Sequence, residues 1–177
     1  MRNFTKILAT LSLTLILSAC GGGGGGSGGA ASYTVPSCTD SGTRDTEYLF
    51  MGKYNGENGL TRICASAAYA RDATGDGIKV AVLDTGITVN GSNAVFHTEL
   101  DANVASFTSG SDLIGTDNVP NDEEGHGSHV AGIIAGENNG SGYHGVAYDA
   151  TLYIYKVLND SGSSVGKSIA SGITKAR

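Results

Sequence analysis

The sequence predicts an α/β fold built on a parallel sheet. Three observations lead there. Residues 78–83 read Ile-Lys-Val-Ala-Val-Leu, an apolar run with no polar alternation beyond Lys79. A strand covered on both faces has this pattern. After residue 60, strand-like runs alternate with helix-like ones, the order of a layered parallel fold. Asp84 follows the first strand directly, at the carboxyl end where open α/β sheets gather their functional groups.

The elements follow in chain order. Residues 62–73 are Ala-rich, with Ile63, Ala67 and Ala70 on one face, which predicts a short helix. Gly75 and Gly77 end it. The strand 78–83 comes next. Residues 88–103 form a loop rich in Asn, Gly and Ser, and residues 104–107 (Val-Ala-Ser-Phe) a second short strand. Residues 108–125 are an acidic Gly/Asn/Asp loop that closes with Asn121-Asp122-Glu123-Glu124. The expectation for that run is a solvated loop; the alternative is a field that favours a protonated imidazole at His126. Residues 128–136 are small and apolar all round, so they predict a deeply buried helix. Residues 137–145 make a Gly-rich turn and 150–158 a strong strand. Ser164 is placed to cap a last helix over 165–176.

The amino-terminal part reads differently. Arg2 and Lys6 precede an apolar run over residues 7–17. About eleven apolar residues is too short for a stable membrane span, so residues 1–19 read as a signal peptide. The run ends Leu17-Ser18-Ala19-Cys20, which resembles a bacterial lipobox. On that reading Cys20 is acylated and tethers the chain to a membrane through lipid. This implies an exported lipoprotein at the outer membrane or cell surface. Residues 21–32 (GGGGGGSGGAAS) form a flexible leash. Cys38 and Cys64 remain, an even count in an oxidising compartment, which predicts a disulfide. Such a bridge stabilises by about 3 kcal/mol in the chain-entropy model. The expected division is therefore 1–19 signal, 20–60 lipidated Cys, linker and irregular arm, and 61–177 folded domain. The 177 residues suffice for one domain with a core. A net charge of -6 and the lack of a basic stripe exclude nucleic acid as a partner.

Two segments carry chemistry. Val82-Leu83-Asp84-Thr85-Gly86-Ile87 presents an acid at a strand end. An aspartic-protease mechanism needs two such acids sharing a proton, and the sequence holds no second Asp-Thr-Gly or Asp-Ser-Gly. His126-Gly127-Ser128-His129-Val130-Ala131-Gly132 presents an imidazole between glycines at a helix start. Catalytic zinc helices place their histidines at i and i+4 with a Glu after the first. Here the spacing is i and i+3 and Gly127 occupies the Glu position, so no metal site is assigned. His129 reads as a satisfied core residue. His126 has glycine on both sides, which leaves room for a substrate backbone.

Together these motifs resemble the subtilisin family of serine endopeptidases, peptidase S8 type. Gly145-Val146-Ala147 and residues 152–158 continue the resemblance. It implies a three-layer fold with a parallel sheet, here lacking the last strands and helices. It implies hydrolysis of polypeptide substrates by an Asp-His-Ser triad, with Asp84 orienting His126 and His126 as general base and then acid. It implies that Gly162, Ser163 and Ser164 pair with an extended substrate. No cofactor is required, and a structural calcium near Glu99 and Asn139 is an expectation of the same kind. Tyr148 departs from the family's usual Pro. The lipobox, the Gly tract and the segment around Tyr54 to Ala70 also resemble surface-exported members, some of them autotransporters. No Gly-Thr-Ser-Met-Ala type segment occurs in the sequence. The expectation is the amino-terminal portion of a longer protease, inactive by itself. The alternative is an inactive lipid-anchored remnant or peptide-binding module.

Overall fold

The computed structural model describes Glu47 and residues 59–90, 95, 97–115, 117–164 and 166–177. All lie in one compact unit, Val35–Arg177. The predicted signal, Cys20, the Gly tract and Cys38 lie outside the described residues.

Six elements are described: α1 (Gly59–Arg62), α2 (Ala65–Tyr69), β1 (Lys79–Asp84), α3 (His126–Ala135), β2 (Thr151–Lys156) and α4 (Gly166–Lys175). β1 and β2 pair in parallel, from Lys79 opposite Thr151 to Asp84 opposite Lys156. Val82 faces α3 in a core with Ile87, Leu100, Ala131, Ala135, Ala150, Leu152 and Ile154. Burying each large aliphatic side chain there stabilises by roughly 1.5–3 kcal/mol. Leu83 points to the opposite face, where it and Val157 press on Gly172 of α4. The parallel sheet thus has a helix on each side, as the sequence led one to expect. The cover is unequal, because Lys79 and Ala81 are exposed.

Several expected elements change in detail. The helix over 62–73 divides into α1 and α2 because Cys64 adopts a left-handed φ of 55°, a conformation a helix interior does not accept. Ile63 is 59% exposed, while Leu60 and Ala65 are buried. The strand at 104–107 shrinks to a bridge between Val104 and Leu152. Its backbone is drawn away by the turn at 108–111, where Thr108 N–H binds Ser111 Oγ (3.0 Å) and Ser111 N–H returns to Thr108 O (2.9 Å). The chain rejoins β2 at Asp112, opposite Lys156. α3 is buried on one face rather than all round. Gly127, Ala131, Gly132 and Ala135 point inward, while Ile133 is exposed.

Candidate active site

The site is built where β1 ends and α3 begins. Asp84 closes the strand, and Gly86 turns the chain with a φ of 121° that suits only glycine. A Cβ at Gly86 would lie 2.2 Å from Pro120 O, so the turn packs directly on the loop before α3. Ile87 N–H donates to Pro120 O (2.8 Å) and Asp122 N–H to Ile87 O (3.1 Å). This stitching carries the loop to the strand end. Gly127 then approaches so closely that a Cβ there would sit 2.3 Å from Gly86 O. Small residues on α3 are therefore a requirement of distance.

The result brings Nδ1 of His126 to 2.7 Å from Oδ1 of Asp84. Asp84 is nearly covered, with its side chain 13% exposed, while the His126 side chain is 61% exposed. A carboxylate only accepts, so Nδ1 carries the proton and Nε2 of the neutral ring is left as an acceptor. The His126 pKa is raised. The hydrogen bond to Asp84 and then that group's charge are the main causes; slight burial opposes them, and Glu124 and Asp122 add to them. Thr85 N–H also donates to Asp84 Oδ1 (2.7 Å) and helps fix the carboxylate.

Asp122 departs from the solvated loop expected of the acidic run. Glu123 and Glu124 are exposed, but Asp122 is 5% exposed. Its Oδ1 accepts from Thr85 Oγ1 (2.8 Å), Gly125 N–H (2.8 Å) and Glu124 N–H (3.2 Å). Its Oδ2 accepts from Ser128 N–H (2.8 Å) and Ser128 Oγ (2.6 Å). Burial alone would raise its pKa, but the hydrogen bonds, led by that of Ser128, outweigh it and hold the carboxyl below its ordinary value. Sequence reasoning missed this residue; the one signal was its place three residues before Gly125, the cap position of α3. His129, read as a core residue, is exposed on α3; the buried histidine is His144. His144 stacks edge-on with Tyr69 and Tyr148.

The segment after β2 springs from the same place. Val157 N–H (2.9 Å) and Leu158 N–H (3.1 Å) both donate to Asp84 O. Lys156, buried, donates from Nζ to Thr85 O (2.6 Å) and Asp160 Oδ1 (2.7 Å). Gly162, Ser163 and Ser164 lie on the following loop. Gly162 N–H donates to Asn159 O (2.9 Å), Ser163 N–H to Asn159 Oδ1 (3.0 Å), and Ser163 O accepts from Asn159 N–H (2.8 Å). These backbone groups are engaged within the loop. Cys64 is disulfide-bonded.

A second acidic place lies apart from this pair. Glu99 is 6% exposed and Glu47 4%. Oε2 of each is buried with no hydrogen-bond partner. Glu47 Oε1 accepts from Gly140 N–H. Asn139 donates from Nδ2 to Thr98 O (3.2 Å) and accepts at Oδ1 from Ser141 N–H (3.1 Å). Burial first, and then the Glu47 charge, raise the Glu99 pKa. Glu47 gave no signal in the sequence. Among the described residues, no three His, Cys, Asp or Glu side chains gather as a metal-binding group.

With this geometry in hand, the comparisons with known proteins are specific. The Subtilase family model matches residues 75–177. Subtilisin Savinase of Lederbergia lenta is 44% identical over 115 residues, which cover 65% of this chain and 38% of that protein. An alkaline protease of Alkalihalobacillus alcalophilus is 44% identical over the same length, 27% of that protein. An extracellular serine protease of Serratia marcescens is 39% identical over 116 residues, 10% of that protein. The chain thus spans less than two-fifths of the length of the relatives it matches. The family model covers more than half of the chain and includes both Asp84 and His126, and the chain belongs to the subtilase family.

Proposed function

We propose that this chain carries the general base and the orienting acid of a serine endopeptidase. The observation that carries the reading is the 2.7 Å contact between His126 Nδ1 and Asp84 Oδ1, with the ring otherwise open. In this reading Nε2 of His126 takes the proton of a serine hydroxyl as it attacks a peptide carbonyl. It then returns that proton to the leaving amine. Asp84 keeps Nδ1 protonated and stabilises the imidazolium. In this reading the serine lies outside these 177 residues, which hold no Gly-Thr-Ser-Met-Ala type segment. An extended polypeptide substrate would lie along Gly162, Ser163 and Ser164. It would bind by main-chain pairing along that segment.

The test is hydrolysis of a fluorogenic peptide by a chimera in which residues 75–177 replace the matched part of Subtilisin Savinase. Turnover is expected, and Asp84→Asn should lower kcat by roughly 10⁴. A chimera that folds and binds peptide without cutting it would instead make this a binding module. The 177-residue chain alone should give no turnover; turnover that is lost in His126→Ala would sink that expectation.

Export belongs to the same reading: residues 1–19 as signal, Cys20 as lipidated terminus and Cys38–Cys64 as a bridge. The extracellular relative of Serratia marcescens is in keeping with export. Lipid anchoring and an autotransporter-like surface location rest on the lipobox and Gly tract, and metabolic labelling with a palmitate analogue in wild type and Cys20→Ala tests them.

A structural calcium is favoured by one observation, the two buried carboxylate oxygens of Glu47 and Glu99 without partners. Hard oxygen ligands suit that ion. Calcium would supply charge neutralisation there and take no part in the reaction.

A further inference from the structure

Asp122 grips both halves of the candidate site. Toward β1 it accepts from the hydroxyl of Thr85, the residue beside Asp84. Toward α3 it accepts from Gly125 N–H, Ser128 N–H and Ser128 Oγ, on either side of His126. Thr85 closes the circuit, because its Oγ1 accepts from Gly127 N–H (2.8 Å) while donating to Asp122. Ser128 extends it, because its Oγ accepts from Thr88 N–H (2.9 Å). Gly125, at the cap position, offers no side chain. The helix start is therefore held by a carboxylate and two hydroxyls that all face the strand end.

We propose that Asp122 is a positioning residue, whose buried carboxylate acts through the Thr85 and Ser128 hydroxyls to set the start of α3 against the end of β1 and so hold His126 on Asp84. Asp122 does not touch the ring and takes no proton. It fixes where the ring stands. A displacement near 1 Å at such a pair is enough to cost about 10²-fold in rate, so a rigid link at this point matters to the chemistry. The inference rests on the reading that His126 and Asp84 work as a pair, but its test reads the ring rather than turnover.

The probe is the ¹⁵N-labelled 177-residue chain, followed by imidazole ¹⁵N–¹H correlation across pH. The charged groups facing His126 are Asp84, Glu124 and Asp122. In wild type the Nδ1 proton should be visible and the ring should titrate above the ordinary histidine value. Asp122→Asn should lose the Nδ1 signal and move the titration down. Thr85→Val should do the same, and Thr85→Ser, which restores the hydroxyl, should recover both. The double variant Asp122→Asn/Thr85→Val should shift no further than either single change. A mere through-space charge effect behaves otherwise. It adds to the loss from Thr85→Val, and it fades in 1 M salt, where the screening length is about 3 Å. Asp122→Asn with a native amide spectrum and an unchanged ring signal overturns the proposal, as does an effect that disappears in salt. Should Asp122→Asn fail to fold, Ser128→Ala and the Thr85 pair carry the same test, with partial loss expected for Ser128→Ala and no change overturning it. A failed chimera leaves these spectra as they are, so the two readings stand or fall separately.

Discussion

Two buried acidic places in this chain differ in one respect. At Asp122 every carboxylate oxygen meets donors: Thr85, Gly125 and Ser128 supply them, and the pKa falls. At Glu47 and Glu99 one oxygen of each carboxylate meets nothing, and the Glu99 pKa rises. Burial opposes ionisation at both. The number of oriented N–H and O–H groups within reach decides the outcome. The first place is finished by the chain's own amides and hydroxyls, while the second still wants a proton or a cation.

The largest effect that sharpens this contrast is expected from Asp122→Ala. It strands the Thr85 hydroxyl and the amides of Gly125 and Ser128, and urea unfolding should show a loss of about 3 kcal/mol. Gly127→Ala should come next, at roughly 2–3 kcal/mol, because the new Cβ meets Gly86 O and neither backbone can yield cheaply. Millimolar calcium should raise the melting temperature by roughly 5 °C through preferential binding to the folded state. That rise should vanish in Glu99→Gln; calcium leaving wild type unmoved would break the calcium half of the comparison.

The two acids should also tilt stability against pH in opposite senses. Asp122 is depressed in the folded state, so its contribution is present above the ordinary Asp value and is lost as pH falls through the lower folded one. Glu99 is raised, so its contribution is present below the ordinary Glu value and is lost as pH rises through the higher folded one. Urea midpoints measured across pH should show Asp122→Asn flattening the acid side and Glu99→Gln flattening the other. The smallest effect is Glu99→Gln near neutral pH without calcium, expected within about 1 kcal/mol of wild type or slightly stabilising, since it removes a poorly paired buried charge.

What could be read from the sequence follows from how far each signal reaches along the chain. β1, β2 and α3 announce themselves by composition over six to ten residues, and Asp84 and His126 stand at their ends. The role of Asp122 was hidden because its partners Thr85 and Ser128 lie 37 and 6 residues away. In a run of four polar residues nothing marks one as buried. Glu47 was hidden for the same reason, its partner Gly140 being 93 residues distant. The break at Cys64 was invisible because a left-handed residue inside an Ala-rich stretch goes against local propensity. His129 is exposed rather than buried because α3 buries only its small-residue face.

The parallel ladder has a further consequence, for the time course of folding. Its partners are separated by about seventy residues, from Lys79–Thr151 to Asp84–Lys156, and the contact of His126 with Asp84 spans 42. Among the described residues the local antiparallel contact is a single isolated bridge between Val89 and Val95, not a ladder. Chain entropy must be lost over long loops before these pairings return anything. His126 and Asp84 therefore meet late, after the β1–α3–β2 crossover has collapsed, and until then β1 and β2 present bare edges to other chains. Refolding should be slow, in the range of seconds, and should yield less native protein as concentration rises.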